Sequence, residues 1–142
     1  MAQYITHSEN ETKALAAKFA KMVRQTHHKV KVIALTGELG AGKTTFVQGF
    51  AKGLGIKDKI ISPTFVLIRQ HKMENNQVLY HIDLYRLEGK IDIKQLGIAE
   101  LLNSDNLVLI EWAEKIKKDL PKKTIKINLE KLNENDRLII TS

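Results

Sequence analysis

Four residues in the first third of the chain have the types and spacing of a phosphate-binding loop. Gly37, Gly42, Lys43 and Thr44 occupy every fixed position of the pattern G-x-x-x-x-G-K-[ST]. Glycines let a loop curl so tightly that several backbone N–H groups in succession point at one phosphate. Lys43 would reach the β- and γ-phosphates of a nucleotide, and the Thr44 hydroxyl would complete the shell of a Mg²⁺ ion. The sequence therefore predicts a nucleotide site.

The segments on either side of this loop favour the same interpretation. The mostly apolar run 30–37 is typical of a strand that is covered on both faces. A helix is predicted from about Lys43 to Leu54, and its first turn would place the positive end of the helix dipole beside the phosphates. Its predicted buried side consists of Phe46, Val47, Phe50 and Ala51.

A phosphate-binding loop also needs an acidic side chain nearby to fix the metal, usually at the end of a neighbouring buried strand. Glu111 ends one apolar run and Asp83 ends another. A period of two places His81 and Asp83 on one strand face, where His81 is interpreted as a structural residue. These patterns leave open which acid dominates at the metal. They also leave open whether Trp112 is a core residue or couples the nucleotide state to a partner.

The segment between the predicted helix and the next strand contains a second candidate for contact with phosphate. Pro63 pushes Ser62 out of helical geometry and would hold Thr64 at the mouth of the site. Thr64 is interpreted either as a switch hydroxyl that senses the γ-phosphate or as an ordinary residue of a strand-entry turn.

Periodicity predicts the remaining elements and the fold class. Residues 8–23 form an amphipathic helix that starts with a capping box of Ser8 and Glu11. A hairpin turns near Asn75 and Asn76, and a short helix precedes the apolar strand that ends at Glu111. Two edge-type strands follow, 124–130 and 137–141. The apolar side of the first helix is formed by Leu15, Ala16, Phe19, Met22 and Val23.

These elements predict one α/β domain over residues 1–142. Its sheet is mixed and mostly parallel, is flanked by helices, and carries an antiparallel hairpin and antiparallel edge strands. The chain has 43% hydrophobic and 27% charged residues, no cysteine, no membrane-length apolar run and no secretory signal pattern. A cytoplasmic protein without membrane contact is expected. The net charge of +7 is concentrated in the lysines of 115–126, which could face a partner, RNA or solvent.

The ordered set of motifs resembles a known family, the bacterial TsaE (YjeE) proteins. The matching segments are GELGAGKTTF, SPTF, YHIDLYRL and LIEWAEK, together with Ser8 and Thr12 near the N-terminus. The resemblance spans residues 8 to about 116, and the tail from Pro121 matches no motif of the family. It implies a P-loop ATPase, with ATP or ADP and Mg²⁺ as cofactors, that is needed to make threonylcarbamoyladenosine in tRNA.

The resemblance also implies roles for individual residues. Thr44 and Glu111 would bind Mg²⁺, with Asp83 at the metal or its water. Thr64 would form the first switch, and Glu111 with Trp112 the second. Ser8 and Thr12 would lie near the adenine or ribose. The catalytic set would be Lys43, Thr64, Asp83 and Glu111. The phosphate-binding set would be Gly37, Glu38, Leu39, Gly40, Ala41, Gly42, Lys43, Thr44 and Thr45.

A further implication is a weak ATPase activity that depends on a TsaB–TsaD pair, with tRNA contacted indirectly through that complex. The residues support water as the phosphate acceptor, because the chain leaves little room for an acceptor pocket. They also predict slow turnover, since no arginine finger is evident. The alternatives are a small P-loop kinase and a nucleotide-regulated RNA-binding module. The four arginines are scattered along the chain: Arg24, Arg69, Arg86 and Arg137.

Overall fold

One seven-stranded sheet runs through the computed structural model, which describes residues 2–25, 31–58, 67–73, 77–103 and 106–142. The helices are α1 (Glu9–Gln25), α2 (Lys43–Gly53) and α3 (Ile98–Leu102), with a 3-10 helix at Ala113–Asp119. Within the described ranges, no helix is long and apolar enough to cross a membrane. The strands are β1 (Ala2–Thr6), β2 (Lys31–Thr36), β3 (Ile68–Lys72), β4 (Val78–Asp83), β5 (Leu107–Glu111), β6 (Ile125–Lys131) and β7 (Arg137–Thr141).

The strand order in the sheet is β1-β7-β6-β2-β5-β4-β3. Strand β2 pairs in parallel with β5 and β6, and β4 pairs in parallel with β5. The pairs β1–β7, β6–β7 and β3–β4 are antiparallel, so β3 and β7 alone among the described strands run against the others. The predicted mixed, mostly parallel α/β fold is confirmed.

The structure differs from the prediction at the borders of the sheet in two ways. Strand β1 was not predicted, because four of its five residues are exposed and their pattern alone indicates no burial. It becomes a strand by pairing with β7, a contact between residues far apart in sequence. Strands β6 and β7 are interior strands rather than edges, since β1 and β3 occupy the two borders.

Both long predicted helices are present, with small differences from the prediction. The Glu11 N–H donates to Ser8 Oγ over 3.1 Å, and the Glu11 carboxylate accepts a hydrogen bond from the His7 N–H. The capping box therefore forms, with its return bond shifted by one residue. Met22 is 55% exposed rather than buried. The hairpin turn predicted near Asn75 and Asn76 lies outside the described residues.

Hydrophobic residues form a core on each face of the sheet. Helices α1 and α2 cover one face, where Phe46 and Phe50 pack with Leu35 of β2. Helix α3 and the 3-10 helix pack on the other face, over Ala34 and Ile110. The phosphate-loop strand β2 is thus buried on both sides, which fixes the point from which the loop leaves the sheet.

Two glycines let α2 approach α1 until their backbones touch. A β-carbon on Gly49 would lie 2.4 Å from the Lys13 carbonyl oxygen, and one on Gly53 would lie 2.4 Å from the Ala17 oxygen. Since no real β-carbon tolerates such a distance, any side chain at either position must push the helices apart. Helix α2 carries the loop lysine on its first turn, so this contact also positions the site.

Gly49→Ala is expected to destabilise the fold, although alanine favours helices over glycine by about 1 kcal/mol. The added methyl group would overlap the α1 backbone, and overpacking of this kind costs about 1–3 kcal/mol. Urea denaturation would measure the free energy of unfolding, with the exposed Lys52→Ala change on the same helix as the control. A Gly49→Ala protein as stable as that control would contradict the close contact.

Candidate nucleotide-binding site

The loop between β2 and α2 needs its glycines for two separate reasons. Gly37 has a φ of +146°, and a β-carbon there would lie 2.6 Å from the Leu129 carbonyl oxygen on β6. Gly42 has a φ of +97° and caps the N-terminus of α2. Other residues rarely adopt these backbone angles. The loop therefore lies directly against the neighbouring strand, in backbone angles that glycine adopts far more readily than other residues.

Arg137 braces this loop from β7, a contact that the sequence did not reveal. Its Nε donates to the Ala41 carbonyl oxygen over 3.1 Å, and its Nη1 donates to the Asn133 carbonyl oxygen over 2.8 Å. The sequence showed Arg137 as one of four scattered arginines. Only the strand order, which carries the β6–β7 hairpin to the loop, brings it close. No local motif could have identified it.

Lys43 is the first residue of α2, and its side chain folds back over the loop that precedes it. Only 6% of the residue is exposed. Its Nζ donates to the carbonyl oxygen of Gly37 and, over 3.4 Å, to that of Glu38. The same atom lies 3.6 Å from the centroid of the Trp112 ring, a cation–π contact. The loop's own carbonyls and Trp112 therefore hold the ammonium group where a phosphate would compete for it.

Burial lowers the pKa of Lys43, because the charged ammonium group loses contact with water. The carboxylates of Glu111, Glu114 and Asp83 act in the opposite direction and favour the charged form. Lys43 thus lies in a partly dry environment with acids nearby. Removing an ammonium group from water strengthens its attraction to an incoming phosphate.

The two candidate acids are the last residues of adjacent parallel strands, so they lie at the same end of the sheet. Asp83 on β4 is in register with Glu111 on β5, and Glu111 is in register with Leu35 on the loop strand β2. The Leu84 N–H donates to the Glu111 carbonyl oxygen over 3.2 Å, which ties the two strand ends together. Glu111 is 3% exposed, whereas Asp83 is half-buried and accepts a 3.0 Å hydrogen bond from the Tyr85 N–H. Both acids therefore lie beside the loop.

These residues fit a nucleotide-bound Mg²⁺ ion. The described part of the chain has no group of three His, Cys, Asp or Glu residues that could hold a metal by itself. Magnesium bound with nucleotides needs only one or two protein carboxylates, because phosphates and water complete its shell. Thr44 is exposed on the first turn of α2, and Thr45 beside it is half-buried. Hydroxyl and carboxylate oxygens are the ligands that this ion prefers.

Trp112 connects the acid of β5 to the loop lysine. It has a φ of +61°, the only positive value among the described non-glycine residues, and its ring centroid lies 5.2 Å from that of Tyr85. The 3-10 helix begins at the next residue. Trp112 is half-buried, packs against the core beneath the 3-10 helix and also lies beside Lys43, and its coupling of nucleotide state to a partner stays a prediction.

The fluorescence of Trp112 should report nucleotide binding, since it is the only tryptophan in the chain. A phosphate that draws Lys43 Nζ away from the ring would remove the adjacent cation, so the emission intensity or maximum is expected to change. Titration with ADP would measure this change, and a Trp112→Phe protein provides the blank. Saturable ADP binding seen by calorimetry without any spectral change would contradict the predicted movement.

A small cavity of about 210 Å³ lies between the end of the loop and the start of α1. Ser8, Thr12 and Arg137 line it together with Gly42 of the loop and Thr45 of α2. The hydroxyl of Thr12 is buried and lies 2.6 Å from that of Thr6, so Ser8 is the more accessible of the two predicted residues. The structure thus brings Ser8 and Thr12 to the loop.

The His7 side chain contacts the β6–β7 hairpin. Its Nδ1 lies 3.0 Å from Asp136 Oδ1. A hydrogen bond from the Asn133 side chain, helped by His7, holds the pKa of Asp136 below its ordinary value. The contact joins the start of α1 to the hairpin that carries Arg137. Thr64, the predicted switch residue, lies outside the described residues.

The remaining candidate residues around the loop and in the basic stretch differ in their exposure and contacts. Glu38, Leu39 and Gly40 are exposed, and a groove of about 950 Å³ runs from Glu38 and Leu39 past Trp112. Lys115 is not a free lysine, because its Nζ donates to the carbonyl oxygens of Tyr85 and Leu87, each over 2.7 Å. The other lysines of the basic stretch are exposed: Lys117, Lys118, Lys122, Lys123 and Lys126.

The fold and the loop together define a P-loop α/β domain. The sequence profile of TsaE, described as threonylcarbamoyl adenosine biosynthesis protein, matches residues 6–139. The crystal structure of Bacillus subtilis YdiB superposes with a TM-score of 0.76 at 34% identity, over 99% of this chain and 84% of that chain. The chain belongs to the TsaE family, which acts in the biosynthesis of threonylcarbamoyladenosine in tRNA.

Individual relatives agree along nearly the whole chain. The tRNA threonylcarbamoyladenosine biosynthesis protein TsaE of Rickettsia felis is 45% identical over 141 residues, 97% of this chain and 79% of that protein. The protein of the same name in Bacillus subtilis is 37% identical over 134 residues, 94% of this chain and 80% of that protein. The similarity thus includes the tail after Pro121, where no motif was recognised from the sequence.

Proposed function

We propose that this chain is a Mg²⁺-dependent, weakly active ATPase of the tRNA threonylcarbamoyladenosine machinery, working in the cytoplasm with a TsaB–TsaD pair. The observation that carries this proposal is the environment of Lys43. The buried ammonium group lies within a glycine cradle, beside the strand ends that carry Glu111 and Asp83. Family membership supports the pathway and the partners. Contact with tRNA would be made through the complex.

In this proposal each residue has a separate task. Lys43 and the backbone N–H groups of the loop would neutralise charge that develops on the transferred phosphoryl group. Thr44 and Glu111 would hold Mg²⁺, with Asp83 at the metal or its water. The bound ion supplies further charge neutralisation. Ser8 and Thr12 lie at the cavity that would receive the ribose or adenine.

Water is the proposed acceptor, with slow turnover when the chain is alone. Arg137, the arginine seen to contact the loop, donates to backbone carbonyl oxygens and so braces the loop. An arginine that stabilises the transferred phosphoryl group can accelerate hydrolysis by about 10³–10⁵-fold. A partner that completes the site would therefore raise the rate, and the nucleotide state would act as a signal between the proteins.

Phosphate release from ATP tests this proposal directly. The rate would be measured for the chain alone, with the TsaB–TsaD pair, and with the pair and tRNA. A faint basal rate that rises with the pair is expected. A rate indifferent to the pair would contradict the proposed partnership, and phosphate recovered on an added acceptor would favour the kinase alternative instead. Tight, salt-sensitive tRNA binding without the pair would favour the RNA-binding alternative.

A further inference from the structure

A buried histidine on β4 holds the side chain of Glu111. His81 Nε2 lies 2.6 Å from Glu111 Oε2, and the two residues are 1% and 3% exposed. Among the described residues, this is the only ion pair or side-chain hydrogen bond between two buried ionisable groups. The contact joins β4 to β5. It is diagonal, because His81 lies opposite Leu109 in the register of the two strands, and Glu111 lies opposite Asp83.

The other ring nitrogen of His81 identifies the tautomer. Nδ1 is buried and has no hydrogen-bond partner. A proton on Nδ1 would be a buried donor without an acceptor, which is costly, whereas an unprotonated Nδ1 leaves only a lone pair unmet. A proton on Nε2 rather than on Nδ1 is therefore favoured. In that form His81 donates one directed hydrogen bond to Oε2 of Glu111.

This bond restricts a side chain that has three rotatable bonds. No described hydrogen bond holds the second carboxylate oxygen, Oε1, so His81 supplies the one described hydrogen bond to this carboxylate. Residues that hold a metal ligand by hydrogen bonding change metal affinity or activity by about 10–100-fold when they are removed. The structure therefore contains a buried side chain that orients Glu111, one of the two candidate metal acids.

We propose that His81 is a positioning residue that presents Glu111 to the Mg²⁺–nucleotide complex. This inference rests on the proposed function, because it requires Glu111 to act at the metal. It goes beyond the sequence interpretation, in which His81 was a structural strand histidine. It also separates the two acids. Glu111 would be held in place before the nucleotide arrives, whereas the half-buried Asp83 would not be oriented by His81.

The chain offers matched variants for a test. His81→Leu removes the donor but keeps an apolar side chain of similar size. His81→Gln places an amide N–H near the position of Nε2, whereas the shorter side chain of His81→Asn does not reach it. His71→Leu is the control. His71 is also a buried strand histidine with an unpartnered ring nitrogen, Nε2, but it lies on β3, opposite Leu79 of β4 rather than beside Glu111.

The readout is the affinity for a fluorescent ADP analogue at increasing Mg²⁺ concentration and in EDTA. The Mg²⁺ concentration that produces half of its effect on the affinity for the ADP analogue is the measured quantity. We expect His81→Leu and His81→Asn to raise this concentration by about 10–100-fold. The affinity of the His81 variants for the analogue in EDTA should stay near the wild-type value. The thermal unfolding midpoint of His81→Gln should also stay near that of the wild type. His81→Gln should recover most of the Mg²⁺ effect, and His71→Leu should match wild type.

The possible failures are distinguishable. A wild-type chain that binds no nucleotide, or binds it without any Mg²⁺ effect, would overturn the proposed function and this inference with it. A normal wild-type response together with an unchanged response in His81→Leu would overturn the inference alone. If His81→Leu does not fold, the comparison of His81→Gln with His81→Asn decides, and equal responses of these two variants would overturn the inference.

Discussion

Lys43→Ala should abolish measurable ATP hydrolysis and weaken nucleotide binding. The change removes the ammonium group that lies among the loop carbonyls, and with it the charge that would meet the β- and γ-phosphates. Loss of a single preorganised donor to developing negative charge costs about 10²–10³-fold in rate. Phosphate release and calorimetric ADP titration would measure the two effects separately.

The control for this experiment lies on the same helix. Lys52→Ala removes an exposed lysine from the last turn of α2, so it keeps the loop intact and should leave both measurements unchanged. Thermal unfolding of both variants would show whether Lys43→Ala remains folded. Normal turnover in a folded Lys43→Ala protein would rule out the assignment of this loop to ATP phosphates.

Glu111→Ala should reduce Mg²⁺-dependent hydrolysis far more than it reduces nucleotide binding. The carboxylate lies at the strand end beside the loop, where it would bind the metal or position the attacking water. Loss of such a group is expected to lower the rate by about 10²–10³-fold. ADP affinity in EDTA should change little, because the loop that binds the phosphates is untouched.

Asp83→Ala is the matched variant, since Asp83 lies directly opposite Glu111 in the register of the sheet. It should weaken the response to Mg²⁺ less than Glu111→Ala does. The two acids would have to exchange roles if Asp83→Ala removed the metal dependence while Glu111→Ala preserved it. Measuring both variants over one range of Mg²⁺ concentrations makes the comparison direct.

The elements that bind phosphate could be predicted because their signals are local. The glycine spacing, the apolar strand before it and the helix after it are adjacent in sequence, so Gly37, Gly42 and Lys43 were identified directly. The acids were found for a related reason, since each ends an apolar run. Their placement side by side depends on the order of β4 and β5, which their sequences do not encode locally.

The residues that were missed depend on contacts between distant parts of the chain. Strand β1 is a strand because β7 pairs with it, and Arg137 reaches Ala41 because the β6–β7 hairpin lies beside the loop. The strict alternation in β6 correctly indicated one wet face. That face is not evidence of an edge, because β6 lies between β7 and β2.

The bond from Arg137 to the loop has a consequence for the order of events during protein synthesis. The loop glycines emerge from the ribosome about a hundred residues before the arginine that braces them. The pairing of residues 2–6 with 137–141 must likewise wait until the second segment has been made. Contacts between such distant residues form slowly, because a long stretch of chain must close first. A nascent chain would therefore display the complete loop motif while it still lacked the brace, and its capacity to hold a nucleotide should emerge late in translation.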